Sequence, residues 1–118
     1  MSYYTQHTLS VKNIKSKREF DKLNCYIKNH TAMNDSLAFD TYDENTEVIE
    51  AYAKNVTKWY AHVDDMVEMS RNFPNMVFKL SGAGENQEDI WDEYYENGDM
   101  ERCDAELVLP KPQKIEWD

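Results

Sequence analysis

The sequence predicts an α+β two-layer sandwich, an antiparallel sheet with two helices on one face. Three observations carry that prediction. Two stretches repeat their apolar residues at helical spacing, groups of strand-like residues separate and follow them, and Asn97-Gly98 sits between two alternating runs as a tight hairpin. At 118 residues, with 41% hydrophobic and 13% aromatic residues, the chain is long enough to bury one modest core. It reads as one α+β domain over 1–110 and a C-terminal tail over 111–118.

The first element is a strand. In "YYTQHTLSVKNI", Tyr3, Thr5, His7, Leu9 and Val11 fall on one side at a period of two. "SKREF" then opens a helix, because Ser16 followed three residues later by Glu19 forms a capping box. Phe20, Leu23 and Ile27 line one face of that helix to about Asn29. "TAMNDS" reads as a turn-rich connection, and "SLAFDTY" as a short strand.

Residues 47–56 fit a strand and a helix about equally. Val48, Tyr52 and Val56 share parity, while Ile49, Tyr52, Ala53, Val56 and Tyr60 have helical spacing. Thr57 and the aromatics after it favour a strand over the second half of "VIEAYAKNVTKWY". "HVDDMVEMSRNFP" is a helix: Asp64 and Asp65 suit its N-terminus, Val63, Met66, Val67 and Phe73 form its stripe, and Pro74 ends it. "NMVFKL" reads as a buried strand, "SGAGEN" as a turn, and the hairpin about Asn97-Gly98 follows. This order of elements suits a ferredoxin-like arrangement.

Net charge is −10, and almost all of it lies at one end. Residues 1–84 hold 11 acids and 10 bases, whereas residues 85–118 hold 12 acids and 3 bases. Phosphate contact requires cations, so direct binding to DNA or RNA is disfavoured. There is no apolar run long enough to span a bilayer. "MSYYTQHTLS" lacks the basic and apolar regions of a signal peptide, so a cytoplasmic protein is expected. Cys25 and Cys103 have no motif spacing and read as reduced thiols.

The charge concentrates in "EDIWDEYYENGDMERCDAE", residues 88–106, which holds nine carboxylates and one arginine. A two-residue turn at Asn97-Gly98 sets the register: Tyr95 faces Met100, Glu93 faces Arg102, Trp91 faces Asp104 and Asp89 faces Glu106. Ile90, Tyr94, Cys103, Ala105 and Leu107 are the expected core face. The expected outer face displays Asp89, Glu93, Asp104 and Glu106 around Trp91, with a Glu93–Arg102 ion pair. Carboxylates on such a face lie roughly 5–7 Å apart, a density comparable to a phosphate backbone. Two readings fit this surface: a solvated hairpin whose charge protects its edge, or a surface complementary to a basic partner, anchored by an aromatic.

Chemistry beyond charge is sparse. "SGAGE" has one G-x-G without a third glycine or a following helix, and there is no phosphate loop and no HExxH. Glu93 to Asp104 places Gly98 and Asp104 where a calcium loop wants them, but Glu93 and Tyr95 stand where it wants Asp and Asp or Asn. His7, His30 and His62 lie in different elements. His62 before Asp64 and Asp65 reads as a helix-entry residue rather than half of an acid–base pair. No catalytic residue, metal or cofactor is expected.

Residues 58–98 resemble a pattern found in short proteins of phages and other mobile elements. Trp59, Tyr60, His62, Asp65 and Met66 match its W-Y-x-H-x-x-D-M helix entry. Ser70, Pro74, Phe78, Leu80, Gly84 and Glu85 match its strand and turn, and Asp89, Trp91, Tyr95, Asn97 and Gly98 its hairpin. The resemblance covers about a third of the chain, and the departure is Ala83, where the pattern has a polar residue. It implies a ferredoxin-like fold and a mobile-element setting, and brings no catalytic residues with it.

Small acidic phage proteins of this kind commonly bind a host protein. The expectation is therefore a non-catalytic inhibitor, such as an anti-CRISPR or another anti-defence protein. It would bind a basic nucleic-acid-binding host protein, for example a CRISPR effector or restriction enzyme, as a nucleic-acid mimic. The expected contact residues are Asp89, Trp91, Glu93, Tyr95, Glu96, Asp99, Glu101, Asp104 and Glu106. The alternative expectation is a self-associating structural or regulatory module. The protein is expected as a monomer or weak homodimer that touches neither nucleic acid nor membrane directly.

Overall fold

A computed structural model describes residues 4–39, 41–84 and 89–104. The expected tail 111–118 lies outside them, as do Ala105, Glu106 and Leu107. The chain runs β1 (Thr5–Lys12), α1 (Lys17–Lys28), α2 (Thr31–Ser36), β2 (Leu37–Phe39), β3 (Val48–Ala53), β4 (Val56–Thr57), α3 (His62–Asn72), β5 (Val77–Gly84), β6 (Ile90–Glu96) and β7 (Asp99–Asp104). One antiparallel sheet of seven strands has the order β2-β3-β1-β5-β6-β7, with β4 also on β1. The fold is therefore α+β, as expected, with three helices among the described residues where two were expected.

The alternation in β1 decides how the layers pack. His7, Leu9 and Val11 are buried, and Leu9 lies between Ala51 of β3 and Leu80 of β5. Val11 lies likewise between Ile49 and Phe78. Against this face pack Leu23 and Ile27 of α1, Met33 of α2 and Met66 and Met69 of α3, forming one core. Because side chains alternate along a strand, Thr8, Ser10, Glu50, Tyr52, Lys79, Asp92 and Tyr94 fall on the opposite face. No described helix contributes to that side.

The N-cap half of the capping box forms, while the Glu19 side chain reaches one residue further back than the motif requires. Ser16 Oγ accepts from the Glu19 N–H at 3.2 Å, while Glu19 Oε2 accepts from the Lys15 N–H at 2.6 Å. The turn expected at residues 31–36 is instead the helix α2. His30 Nδ1 caps it by accepting from the Met33 N–H, Ser36 Oγ donates to the Ala32 carbonyl, and Met33 is fully buried. A polar sequence thus becomes helical because its one large apolar residue reaches the core.

In the 47–57 region the strand lies in the first half, β3, and only Val56–Thr57 pairs in the second. Ile49 and Ala51 bring apolar surface to β1, whereas Lys54 and Asn55 turn away to hydrogen-bond with Ser36 and Asp35 of α2. Where a turn was expected from "SGAGEN", β5 continues through Gly84 and pairs with Thr5, and residues 85–86 of that stretch lie outside the described residues. Gly82 permits this. A Cβ there would stand 2.2 Å from the Trp91 ring, so only glycine lets the indole lie against the strand.

Candidate functional site

The β6–β7 hairpin has the register the sequence predicts: Tyr95 opposite Met100, Glu93 opposite Arg102, Trp91 opposite Asp104. Asn97 and Gly98 both take positive φ, 45° and 87°, as a two-residue hairpin turn demands. Helix α3 holds the turn, because Ser70 Oγ accepts from the Gly98 N–H at 2.9 Å.

The two faces of the hairpin are the reverse of the expectation. Trp91, Glu93 and Tyr95 point into the core and are at most 5% exposed, whereas Ile90, Tyr94 and Cys103 are exposed. Trp91 and Tyr95 are therefore not surface anchors, and Glu93 is not a surface charge. Two large aromatics outweigh Ile90 and Tyr94 in buried apolar area. Glu93 between them is tolerated only because partners from other elements meet it. Asp104 shares their face, but at the edge, where it is exposed and accepts from Arg102 Nε at 3.0 Å. Asp89 is half-buried at the start of β6, and Glu106 lies outside the described residues.

The outward face nevertheless carries a charge lattice around a different aromatic. Tyr94 lies opposite Glu101, Glu96 lies opposite Asp99, and Asp92 is two residues from Tyr94 on the same side. Glu96, Asp99 and Glu101 are exposed, as expected for contact residues. Asp92 accepts from Ser81 Oγ at 2.7 Å and sits 3.8 Å from Lys79 Nζ. Sequence reasoning assigned Tyr94 to the inside. The signal it lacked was the full partner set that lets Glu93 face inward, His62 above all.

That partner set is the second part of the site. Glu93, with no exposed surface, has Oε1 2.8 Å from His62 Nε2 and accepts there from the Tyr95 hydroxyl at 2.9 Å; Oε2 meets Arg102 at 3.3 Å. His62 enters from the first turn of α3, with Nδ1 3.2 Å from the Trp59 carbonyl. A carbonyl only accepts, so Nδ1 carries the proton in that contact. The Nε2 approach lies off the N–H direction, making this an ionic contact rather than an aligned hydrogen bond. Burial pushes the Glu93 carboxyl up, but His62, Tyr95 and Arg102 outweigh it and hold it below its ordinary value. The Tyr95 phenol is pushed up by burial and by Glu93.

His7 lies behind His62, with ring centres 5.9 Å apart, and packs edge-on against Trp59 and Trp91. Burial and then the neighbouring His62 lower its pKa from 6.5 to about 4, against weaker pulls from Glu93 and the Thr5 backbone. His7 Nδ1 has no hydrogen-bond partner among the described residues. His62 stacks on Trp91 at 5.0 Å, and the Arg102 guanidinium stands 5.0 Å from the same indole. Asp65 completes the surroundings by accepting from Trp59 Nε1 at 2.7 Å and sitting 3.4 Å from His30 Nε2. Sequence reasoning found the Glu93–Arg102 pair but missed His7 and His62. Only the inward parity of His7 with Leu9 and Val11 hinted at it.

No protein-family model, curated protein or solved structure matches the chain. Among the described residues no helix is long and apolar enough to cross a membrane.

Proposed function

We propose that the chain is a non-catalytic inhibitor that binds a basic, nucleic-acid-binding protein through the outward face of the β6–β7 hairpin, as a nucleic-acid mimic. The observation that supports this most is the lattice of Glu96, Asp99 and Glu101 around the exposed Tyr94, on a sheet face that no described helix covers. A carboxylate lattice steers a basic groove towards it, and a tyrosine within it supplies desolvated contact area. The phage and mobile-element resemblance is consistent with such a target being a host defence nuclease.

The ferredoxin-like reading belongs with this proposal. The strands β1, β2, β3 and β5, with α1 and α3 as crossovers, follow a βαββαβ path in the order β2-β3-β1-β5. On that reading the hairpin β6–β7 is an addition to one edge, and it is the addition that carries the charge.

The test is a pull-down from host lysate with the wild type and with Glu96, Asp99 and Glu101 all changed to Ser. A nucleic-acid-binding protein retained by the wild type alone, and competed off by DNA or RNA, supports mimicry. Identical partners for both versions overturn it. Self-association is the second reading, favoured by β7 lying at the end of the sheet with every residue exposed. Light scattering that returned a dimer dissociated by Met100→Pro, whose N–H points away from β6 to the free edge, would favour it.

A further inference from the structure

We propose that the cavity between the start of β1, the first turn of α3 and the start of β6 is a binding site for an uncharged, planar nitrogen heterocycle of nucleobase size. The cavity measures about 230 Å³ and lies on the sheet's helix-covered side, away from the acidic lattice. Its walls are Trp59 and Trp91, its floor His7 and His62, and Asp89 and Arg102 stand at its rim.

Size, shape and charge each narrow the ligand. A volume of this order suits one or two fused rings. Indole walls favour a flat aromatic surface, which packs against them edge-on or offset. The rim carries Asp89 as well as Arg102, and Arg102 is already met by Glu93 and Asp104, so an anion gains no net partner there. Glu93 beneath the floor is already met by His62, Tyr95 and Arg102 and offers no free acceptor to a cationic ligand.

Hydrogen bonding points the same way. His7 is 1% exposed, and its Nδ1 finds no partner among the described residues. The His62 Nε2, although close to Glu93, is likewise without an aligned hydrogen bond. Buried polar atoms in this condition cost free energy until a partner arrives. A half-turn of the His7 ring about χ2 exchanges Nδ1 with a ring carbon and offers the nitrogen from the other edge. A heterocycle with adjacent donor and acceptor atoms then satisfies it, whereas a hydrocarbon ring of the same size does not. The site is independent of the partner-binding reading, since it shares no residue with the outward lattice.

The experiment uses the full chain near neutral pH. Adenine and benzimidazole are titrated while the tryptophan fluorescence and the imidazole 15N shifts are followed, with naphthalene sulfonate and benzylamine as charged comparators. Saturable quenching by the neutral heterocycles, with a shift of the His7 nitrogens, is expected. His7→Phe keeps a packed ring but removes both nitrogens and should weaken binding at least about tenfold. Thr5→Trp, at the mouth on the strand's inward parity, should abolish binding with the fold intact by circular dichroism. No saturable binding of either heterocycle, tighter binding of a charged comparator, or binding unchanged by both variants would overturn the assignment.

Discussion

His62 Nε2, on the first turn of α3, stands 2.8 Å from Glu93 Oε1, on the middle of β6, and ties the last helix to the hairpin through a carboxylate with no exposed surface. Such a pair is weak evidence for net stability, because desolvating the ions offsets most of their attraction. Removing one partner is another matter, since the survivor is left buried without compensation.

Glu93→Gln is therefore expected to destabilise the protein by roughly 3 kcal/mol, as His62 and Arg102 lose their common counter-ion. Urea denaturation followed by tryptophan fluorescence checks this. A loss below about 0.5 kcal/mol would mean that the carboxylate is solvated and that the buried network does not form.

Acid should weaken the fold in two stages. His7 titrates at about 4 when folded and at 6.5 ordinarily, so the unfolded chain takes up its proton first. Its contribution is complete above 6.5 and is lost as pH falls towards 4, roughly 3 kcal/mol in all. Glu93, also lowered, extends the loss below its ordinary 4.5. Urea midpoints measured at a series of pH values should fall across this window. In His7→Phe the upper part of the fall should disappear while the lower part remains.

The two described glycines with crowded surroundings should respond differently to alanine. At Gly82 the added carbon meets the buried Trp91 ring, which the core prevents from moving, so a loss of about 3 kcal/mol or more is expected. At Gly98 the carbon meets the exposed Arg71 side chain, which swings away, leaving the cost of a positive φ, about 1 kcal/mol. Thermal melts of the two variants side by side test the contrast.

Ser16→Ala should cost about 1 kcal/mol by removing the acceptor for the Glu19 N–H at the start of α1. The same measurement on Ser16→Asp should return close to wild type, because aspartate accepts the same bond.

Binding to a basic partner through the outward hairpin face should weaken steeply with salt, chiefly through a slower association rate. Stopped-flow mixing with a target retained in the pull-down measures it. A rate unchanged between low and high salt would remove the carboxylates from the mechanism.

Local pattern in the sequence determined the elements whose signals are local. The capping box and the Phe20, Leu23 and Ile27 stripe specify α1, Asp64 to Pro74 brackets α3, and Asn97-Gly98 specifies the hairpin and its register to the residue. A polar turn at 31–36 became α2, and β5 ran on through Gly84, because Met33 and Trp91 found tertiary partners that no local pattern announces. The tertiary structure alone decided which side of β6 faces inward. A period of two defines two faces but not their fate, and both faces here carry an aromatic beside carboxylates. The choice fell to Trp91, Glu93 and Tyr95 because α3 brings His62 to the buried charge and β7 brings Arg102. A carboxylate enters a core only where such groups converge from separate parts of the chain.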